Sequence, residues 1–373
     1  MKKAIRSLVV ITALGSVAYG APFLAMGDSA ELFLTGTLGV RADDNVLLAS
    51  DNTVNDTIFS IVPGLEVVYG QNSIVKGKAF YKEDISRYAD RSDLNTSLST
   101  VGFNGSYDDQ KLKIKYNASY AQVAQNTVDV RAGFLVRRDV ANVGINSEVS
   151  LTDKSSLGIG ATFENTDYKR AGFVSSKVLG APINYYFNVT PKVALSVGFE
   201  YRDTQLDNPG TDSNDYFYNI GARGEFTPKL TGTIAVGWIQ RNMDQGDDES
   251  TVGVKSSLAY AINEKTSLQL GVTNDYGVSG MGQSQRNLTY NLGAQSRIAE
   301  DWSIGGNASY RAIKYFGANS RTDDYFEGSL NVTYIYSRLV NFTAGYVYRN
   351  NSSDLAGTDF KNNVFSIAAN IRY

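Results

Sequence analysis

Hydrophobic and polar residues alternate along almost the whole chain. In the segment LTGTIAVGWIQR (230–241), the apolar side chains of Ile234, Val236 and Trp238 share one register, and mostly small or polar residues occupy the other. A period of two residues is that of a β-strand with two different faces, whereas an amphipathic helix repeats every ~3.6 residues. Such segments recur to the end of the chain and none has a convincing helical period, so the pattern predicts an all-β protein.

The connections between these segments are alternately short and long. Eight are tight turns rich in Asp, Asn, Pro and Lys, such as NVTPKV (188–193) and INEKT (262–266). Nine are longer polar loops, at 42–55, 89–94, 125–138, 169–175, 205–213, 243–250, 279–285, 317–323 and 351–359. Seventeen connections imply about eighteen strands, with sixteen as the alternative count.

The lengths of the predicted strands suit a membrane. Most run about nine to fourteen residues, against the ~9–11 that cross a bilayer at a tilt. Tyr and Phe cluster near strand ends, where amphipathic rings form the girdles at both membrane interfaces. After residue 20, no stretch has the ~20 apolar residues of a membrane helix. We therefore predict a transmembrane antiparallel up-and-down β-barrel with short periplasmic turns and longer extracellular loops, rather than a soluble β-protein with an aromatic core.

The N-terminus has the pattern of a secretory signal. Lys2, Lys3 and Arg6 precede an apolar run, and small residues stand at positions suited to cleavage after Gly20. The apolar run is too short for a comfortable membrane anchor, which is the alternative. We expect a signal peptide at 1–20, a short periplasmic segment at 21–29 and a single outer-membrane barrel domain at 30–373. The expected location is the outer membrane of a Gram-negative bacterium.

Composition excludes several classes of enzyme. The 373 residues include no Cys and no His, so thiol chemistry, disulfides and histidine-based catalysis are absent. We find no catalytic motif and expect no enzymatic activity, cofactor or metal. The acidic loop stretches Asp43–Asn45 and Gly246–Asp248 could offer oxygens to a divalent cation, but such stretches are more often solvated loop. A formal net charge of -3 gives no reason to expect nucleic acid as a partner.

The polar register gives the candidate site. If the apolar register faces lipid, the other faces the lumen. Its basic residues outnumber its acidic ones, and the pore-lining candidates are Lys76, Lys78, Lys113, Lys115, Arg202, Arg223, Arg241, Arg297 and Arg311. A basic wall would concentrate anions; alternatively, wall charges only pair with one another across strands. Glu200 and Arg202 on one strand, with Arg223 and Glu225 on the neighbouring strand, fit such pairing, whereas the four lysines lack nearby partners in the sequence.

The segment 125–138, QNTVDVRAGFLVRR, is the least regular part of the chain. It could fold into the lumen as a loop, with Arg131, Arg137 and Arg138 forming a constriction. It could equally be a strand that extends above the membrane. The sequence does not separate these alternatives.

The first hairpin, GTLGVRADDNVLLASDNTVNDTIFSIVPGLEVVYG (36–70), resembles the putative β-barrel porin 2 family. The similar features are Asp44–Asn45 at the end of a strand, Pro63–Gly64 within the next strand, and Arg87–Tyr88 near the end of a third. Val40–Arg41 departs from the family, which often has an aromatic residue there. The close similarity covers roughly residues 36–90. Later hairpins share with the family only the alternation of strands and turns.

The resemblance implies an outer-membrane channel associated with exopolysaccharide export. It would be the exit pore for a polymer made by a Wzx/Wzy-type pathway, with a periplasmic polysaccharide export protein as partner. The alternatives are a general or anion-preferring diffusion porin for small solutes, and a structural barrel with a plugged lumen. Eighteen strands are enough for an aqueous channel.

The chain ends in VFSIAANIRY (364–373), which resembles the C-terminal signal that outer-membrane barrels present to the barrel assembly machinery. Phe365, Ile367, Ile371 and Tyr373 lie in one register, and we expect them to face outer-membrane lipid and to form that signal. We also expect this strand to close the barrel against the first strand, since an unpaired edge in lipid leaves backbone groups unsatisfied.

Overall fold

The computed structural model describes residues 22–27, 29–130, 133–207, 210–317 and 320–373. The predicted signal peptide, 1–20, lies outside the described residues. The first strands are β1 (Leu24–Met26), β2 (Ala30–Asp43), β3 (Asp56–Tyr69), β4 (Val75–Tyr88), β5 (Thr96–Asp108), β6 (Leu112–Ala124), β7 (Arg137–Thr152), β8 (Ser155–Tyr168), β9 (Ser176–Asn188) and β10 (Val193–Leu206). The others are β11 (Ser213–Thr227), β12 (Leu230–Met243), β13 (Glu249–Ala261), β14 (Thr266–Val278), β15 (Ser284–Arg297), β16 (Trp302–Tyr315), β17 (Arg321–Ile335), β18 (Val340–Ser353) and β19 (Phe360–Arg372). The described residues also form one 3-10 turn, Ser92–Leu94, and no helix among them is long and apolar enough to span a bilayer.

The long strands β2 to β19 form one closed antiparallel sheet. Each pairs with its neighbours in the sequence, and β19 pairs with β2 from Arg372 beside Thr35 to Val364 beside Asp43. The prediction of an up-and-down barrel with eighteen strands is confirmed, and the alternative count of sixteen is wrong.

The seam between β19 and β2 is completed by both ends of the chain. Tyr373 exchanges two backbone hydrogen bonds with Leu34, at 2.6 and 2.9 Å. Strand β1 then pairs with the beginning of β2, where β19 has already ended, and the ring of Phe23 packs edge-on against Tyr373 at 5.9 Å. The exposed start of β2 is therefore covered, as the cost of an open strand edge requires.

The two ends of the barrel differ in their connections. One end carries β1, Tyr373 and the short turns, at 70–74, 109–111, 153–154, 189–192, 228–229, 262–265, 298–301 and 336–339. The other end carries the longer loops, at 44–55, 89–95, 125–136, 169–175, 207–212, 244–248, 279–283, 316–320 and 354–359. Outer-membrane barrels place short turns in the periplasm, so we refer to these as the periplasmic and extracellular ends.

The outer face is apolar, with aromatic rings near both ends. Ile220 is 69% exposed, and apolar residues of the same register are exposed on every side of the barrel. Near the periplasmic end the rings of Tyr69, Phe103 and Tyr116 stack, and the two tyrosine hydroxyls lie 3.0 Å apart. Towards the extracellular end the Tyr120 hydroxyl donates to Asp139 at 2.8 Å. These two belts match the girdles of a membrane barrel.

Three small clusters of buried apolar residues lie near the extracellular end. One consists of Val46, Leu47, Ile58, Tyr88 and Leu94, the second of Leu48, Val128, Ile313, Tyr315 and Phe360, and the third of Phe217, Ile239 and Tyr276. Each joins side chains from strands or loops that are distant in the sequence. The extracellular half of the interior is therefore packed.

Candidate functional site

The interior holds a cavity of about 1220 Å³. Amide side chains are prominent in its lining: Asn104, Asn117, Asn146, Asn184, Asn219, Asn287 and Asn291. Hydroxyl groups and a few aromatic rings, among them those of Tyr186 and Phe217, complete the neutral part of the wall. The polar register thus encloses a space lined mainly by groups that both donate and accept hydrogen bonds.

Several of these amides lie against glycines of the neighbouring strand. A Cβ atom on Gly144 would come within 2.7 Å of Asn117 Oδ1, and one on Gly198 within 2.2 Å of Asn184 Oδ1. A Cβ on Gly160 would meet Asn146 Oδ1 at 2.5 Å. The amides occupy the space left by the missing side chains, because β-sheet neighbours face each other directly across strands. The wall is therefore thin and polar at these positions.

The four candidate lysines line the periplasmic part of the cavity. Lys78 forms an ion pair with Glu66, and Lys113 lies 3.7 Å from Asp108. Those two therefore have partners, contrary to the sequence-based expectation, because the partners lie on neighbouring strands. Within the described ranges, Lys76 and Lys115 form no ion pair with an acidic side chain. Their charges are left to water and to solutes.

A carboxylate in a turn adds negative charge at the same end. The backbone amide of Leu112 donates to Asp109 at 2.6 Å, and this hydrogen bond lowers the pKa of the Asp109 carboxyl. The hydroxyl of Tyr107 donates to the same side chain at 2.7 Å. Asp109 is therefore ionised near the lysines at neutral pH, so the periplasmic mouth is mixed in charge and not uniformly basic.

Arg202 and Arg241 belong to a buried ionic network. Asp215 accepts from Arg202 at 2.7 Å and from Arg241 at 2.6 and 2.8 Å, and Asp275 accepts from Arg202 at 2.8 and 3.0 Å. Arg241 is only 1% exposed, so it does not present its charge to the lumen. The expected pairing of Glu200 and Arg202 with the charges of the neighbouring strand is wrong, since Glu200 accepts from Lys255 at 2.9 Å.

Arg223 also finds a distant partner. It donates to both carboxylate oxygens of Glu148, at 2.5 and 2.8 Å, and its guanidinium lies 3.4 Å from the centre of the Tyr186 ring. Glu225 accepts from Lys192, in the turn before β10, at 2.5 Å, and so does not form the expected pair across strands either. Arg297 is exposed near the periplasmic turns, beside Ser303 of β16. Of the nine basic candidates, therefore, most are held by carboxylates.

The loop 125–136 is described at 125–130 and 133–136, and its first part folds into the barrel. Its Asp129 accepts from Arg311 at 2.9 Å and from the Tyr315 hydroxyl at 3.2 Å, both on β16. Strand β16 lies half-way around the barrel from β7, where the loop ends. Val128 packs beside Ile313 in the second apolar cluster. The structure thus favours the first of the two alternatives for this segment, and the loop reaches the opposite wall.

The arginines predicted to form a constriction do not do so as a group. Arg138 is buried and donates to the carbonyl of Gln125 at 2.9 Å, so it stabilises the base of the loop. Arg137 is exposed and begins β7 in the outward register. Arg131 lies outside the described residues. The residue that reaches the far wall, Asp129, was missed because no sequence signal connects it with Arg311.

Other loops hold the inward loop in place. Asn126 donates to the carbonyl of Leu47 at 2.9 Å. The amide of Gly280 donates to the carbonyl of Asp129 at 3.2 Å, and the amide of Val174 donates to the carbonyl of Gly280 at 2.9 Å. Four extracellular loops therefore interlock over the cavity. In the part of the chain that the structure describes, no group of three or more acidic side chains is placed to hold a metal ion.

Comparison with known proteins identifies the family and the fold. The family model described as putative beta-barrel porin 2 matches residues 35–373. OccAB4 from Acinetobacter baumannii is 11% identical, with 92% of this chain and 98% of that chain covered and a TM-score of 0.50. OccK9 (OpdG) from Pseudomonas aeruginosa is 10% identical, with the same coverage and TM-score. No curated protein matches the sequence.

These structures are too distant in sequence to show more than a shared barrel fold. The outer membrane protein opdK from Pseudomonas aeruginosa, 11% identical with a TM-score of 0.48, covers 92% of this chain and 99% of its own. The family match and the barrel together place the protein in the outer membrane of a Gram-negative bacterium, as the sequence predicted.

Proposed function

Because the chain belongs to the putative beta-barrel porin 2 family, whose members are porin-type barrels, we propose that it is the outer-membrane exit channel for an exopolysaccharide made by a Wzx/Wzy-type pathway. The observation that carries the proposal is the neutral wall of the cavity, where asparagine amides lie against glycines of neighbouring strands.

This wall suits a hydroxyl-rich polymer. Each amide offers both donors and acceptors, as does each sugar hydroxyl. Hydrogen bonds to such a wall exchange readily with water, so a passing chain meets many weak sites and no deep one. A solute passes through a channel when its binding is favourable enough for the solute to enter and weak enough for it to leave. The glycines keep the wall thin, which leaves the lumen as wide as the barrel allows.

Passage along the axis requires the inward loop to move. The loop 125–136 is tied to the opposite wall mainly by Asp129 and by the packing of Val128. Connecting segments are the parts of a protein that open at the lowest free energy. We infer that displacement of this loop opens the channel, driven by polymer delivered through a periplasmic export protein at the periplasmic mouth.

The test combines a gene deletion with a tethered loop. Deletion should abolish surface polysaccharide, and the wild-type gene should restore it. Because the chain has no Cys, a double variant, Asp129→Cys with Arg311→Cys, can be labelled site-specifically. The two residues meet only through the long Arg311 side chain, so a direct disulfide would be too short. A bismaleimide cross-linker with a disulfide in its spacer bridges the two thiols and locks the loop. We expect the cross-linked variant to restore export only in the presence of a reductant, while each single variant exports under both conditions. Normal export in the deletion strain would overturn the proposal.

A second candidate is an anion-preferring diffusion porin for small solutes, which the lysines Lys76 and Lys115 favour. Unpaired cations at a mouth raise the local concentration of anions. In planar bilayers with a salt gradient, the reversal potential should then indicate anion preference, and Lys76→Gln with Lys115→Gln should reduce it. Cation preference in the wild type would contradict this candidate. Absence of conductance at every salt concentration would favour a structural barrel with a plugged lumen.

A further inference from the structure

The ladder between β13 and β14 stops half-way up the barrel. The pairs run from Ala261 beside Ser267 to Val254 beside Asn274. Above this point, residues 249–253 remain paired only with β12, and residues 275–278 remain paired only with β15. The wall of the barrel is therefore split between β13 and β14 at its extracellular end.

The split lies at the level of the interface between the outer leaflet and the extracellular water. Val252, which is 50% exposed on the outer face, stands directly beside Trp238 of β12, and Trp238 stands beside Tyr218 of β11. Large amphipathic rings at one height mark the boundary between hydrocarbon and headgroups. The split therefore begins where the outer leaflet meets the protein.

Side chains replace the missing ladder. Asn274 donates to the carbonyl of Val252 at 2.6 Å, Arg202 donates to the carbonyl of Tyr276 at 3.2 Å, and Arg241 donates to the carbonyl of Gly277 at 2.9 Å. An unsatisfied strand edge beside lipid is costly, which explains why these bonds are needed. Burying two arginines and their carboxylates is also costly. A continuous ladder would avoid both costs, so the split requires an explanation.

The split is lined by apolar side chains on its inner side. Tyr276 turns inward against Phe217 and Ile239, with Phe316 packed on the same cluster. Gly253 on the free edge of β13 makes room for them, because a Cβ there would lie 2.5 Å from Phe217 and 2.6 Å from Ile239. Tyr276 and Phe217 also line the cavity. Tyr276 thus stands between the lumen and the split.

From this arrangement we propose that the split is a lateral exit, closed by Tyr276, through which an amphiphile with an apolar chain moves between the lumen and the outer leaflet. The polar wall of the cavity would carry its polar part, and the apolar lining of the split would carry its chain. Outward movement of the β14–β15 hairpin tip opens the path. This goes beyond axial export of a polymer and does not depend on it.

The experiment measures whether lipid chains reach the split. The folded full-length protein, with a single engineered Cys labelled with bimane, is placed in phosphatidylcholine vesicles whose acyl chains carry doxyl groups that quench the label. Thr251→Cys reports on the buried free edge of β13. Thr204→Cys is the matched control, since both threonines are buried on the inner face near the extracellular end, at 8% and 2% exposure, but Thr204 sits between fully paired strands. Val252→Cys places the label on the lipid-facing side and gives the maximum quenching for comparison.

We expect the label at position 251 to lose much more fluorescence than the label at position 204, and to lose still more when Tyr276→Ala is added. Equal, low quenching at positions 251 and 204, unchanged by Tyr276→Ala, would overturn the proposal. Heat-modifiable migration on gels verifies that each variant is folded. Should Thr251→Cys not fold, Phe217→Cys reports on the same split from β11, with the same expected order of quenching.

Discussion

The extracellular and periplasmic halves of the lumen use similar residues in opposite ways. In the extracellular half, charged side chains of the inner face are buried in pairs, as with Asp215 and Arg241 or Asp129 and Arg311. In the periplasmic half, Lys76 and Lys115 line an open cavity, and within the described residues neither has an acidic partner. The inner face of one barrel therefore carries both charges that are buried in ion pairs and charges that water and solutes can reach.

The loops account for this difference. The loop 125–136 and the hairpin tip around Tyr276 fold into the extracellular half and displace water from it. A charge deprived of water must be paired, since an unpaired buried charge is very unfavourable. The short periplasmic turns cannot reach into the lumen, so water solvates the charges at that end. The most buried charges therefore lie under the loops, whereas the lysines that can meet a solute lie at the periplasmic end, where Glu66 and Glu148 pair only some of the basic side chains.

The largest effect is expected at the closing seam of the periplasmic half. Deleting Tyr373, or changing it to Asp, should sharply reduce the amount of barrel assembled in the outer membrane. Deletion removes the backbone bonds to Leu34, and Asp replaces the ring beside Phe23 with a charge. Heat-modifiable protein in isolated outer membranes is the measurement, with Tyr336→Ala in a nearby turn as control. An unchanged yield would contradict an assembly role for Tyr373.

The second prediction tests whether charges in the extracellular half stabilise the fold. Asp215→Ala leaves Arg202 and Arg241 without their shared carboxylate, and we expect the free energy of unfolding to fall by about 3–5 kcal/mol. Urea unfolding in lipid vesicles measures it. Glu148→Ala removes the partner of Arg223, whose side chain is 26% exposed, and should cost only about 1 kcal/mol. If the two substitutions lowered the free energy of unfolding equally, ion pairs in the extracellular half would be no more stabilising than those in the periplasmic half.

Alternation of residues was enough to predict the barrel but not the pairing of its charges. The register of each strand follows from local sequence, so Phe365 faces outward and Asn370 inward as expected. Charge partners do not follow from it, because the inner face brings together residues that are far apart in the chain. Arg202 and Asp275 are separated by 73 positions, and Arg311 and Asp129 by 182.

The inward bend of β14 was also beyond the reach of the sequence pattern. Tyr276 shares its register with Val272, so alternation places it on the lipid-facing side. In the structure it is buried, because Arg202 and Arg241 hold the carbonyls of Tyr276 and Gly277 from inside the barrel. Side-chain bonds from other strands override the local period here. Neither the charge partners nor the split in the wall can therefore be predicted from the local sequence, because both depend on long-range contacts.

A smaller effect is expected from loosening the inward loop. Asp129→Ala breaks the contact with Arg311 and Tyr315, so the loop 125–136 should leave the lumen more often. We expect a larger and noisier single-channel conductance in planar bilayers. The yield of folded barrel should fall less than in Asp215→Ala, because Arg311 regains water when the loop leaves the lumen. Asp324→Ala, which removes the outward-facing partner of Tyr310, should leave conductance unchanged. A conductance equal to that of the wild type would mean that the loop does not limit the path.

The smallest effect should come from the amide wall of the periplasmic half. In Gly144→Ala, the new Cβ would lie 2.7 Å from Asn117 Oδ1, so the amide must swing into the lumen. A flexible side chain can move, so the cost in stability should stay below about 1 kcal/mol, while conductance falls slightly. Gly271→Ala is the matched control, because its nearest neighbour would be 3.5 Å away. If both variants conduct alike, the glycines do not serve to keep the lumen wide. The periplasmic half would then differ from the extracellular half only in being filled with water. Its wall would not be adapted to the passage of a solute.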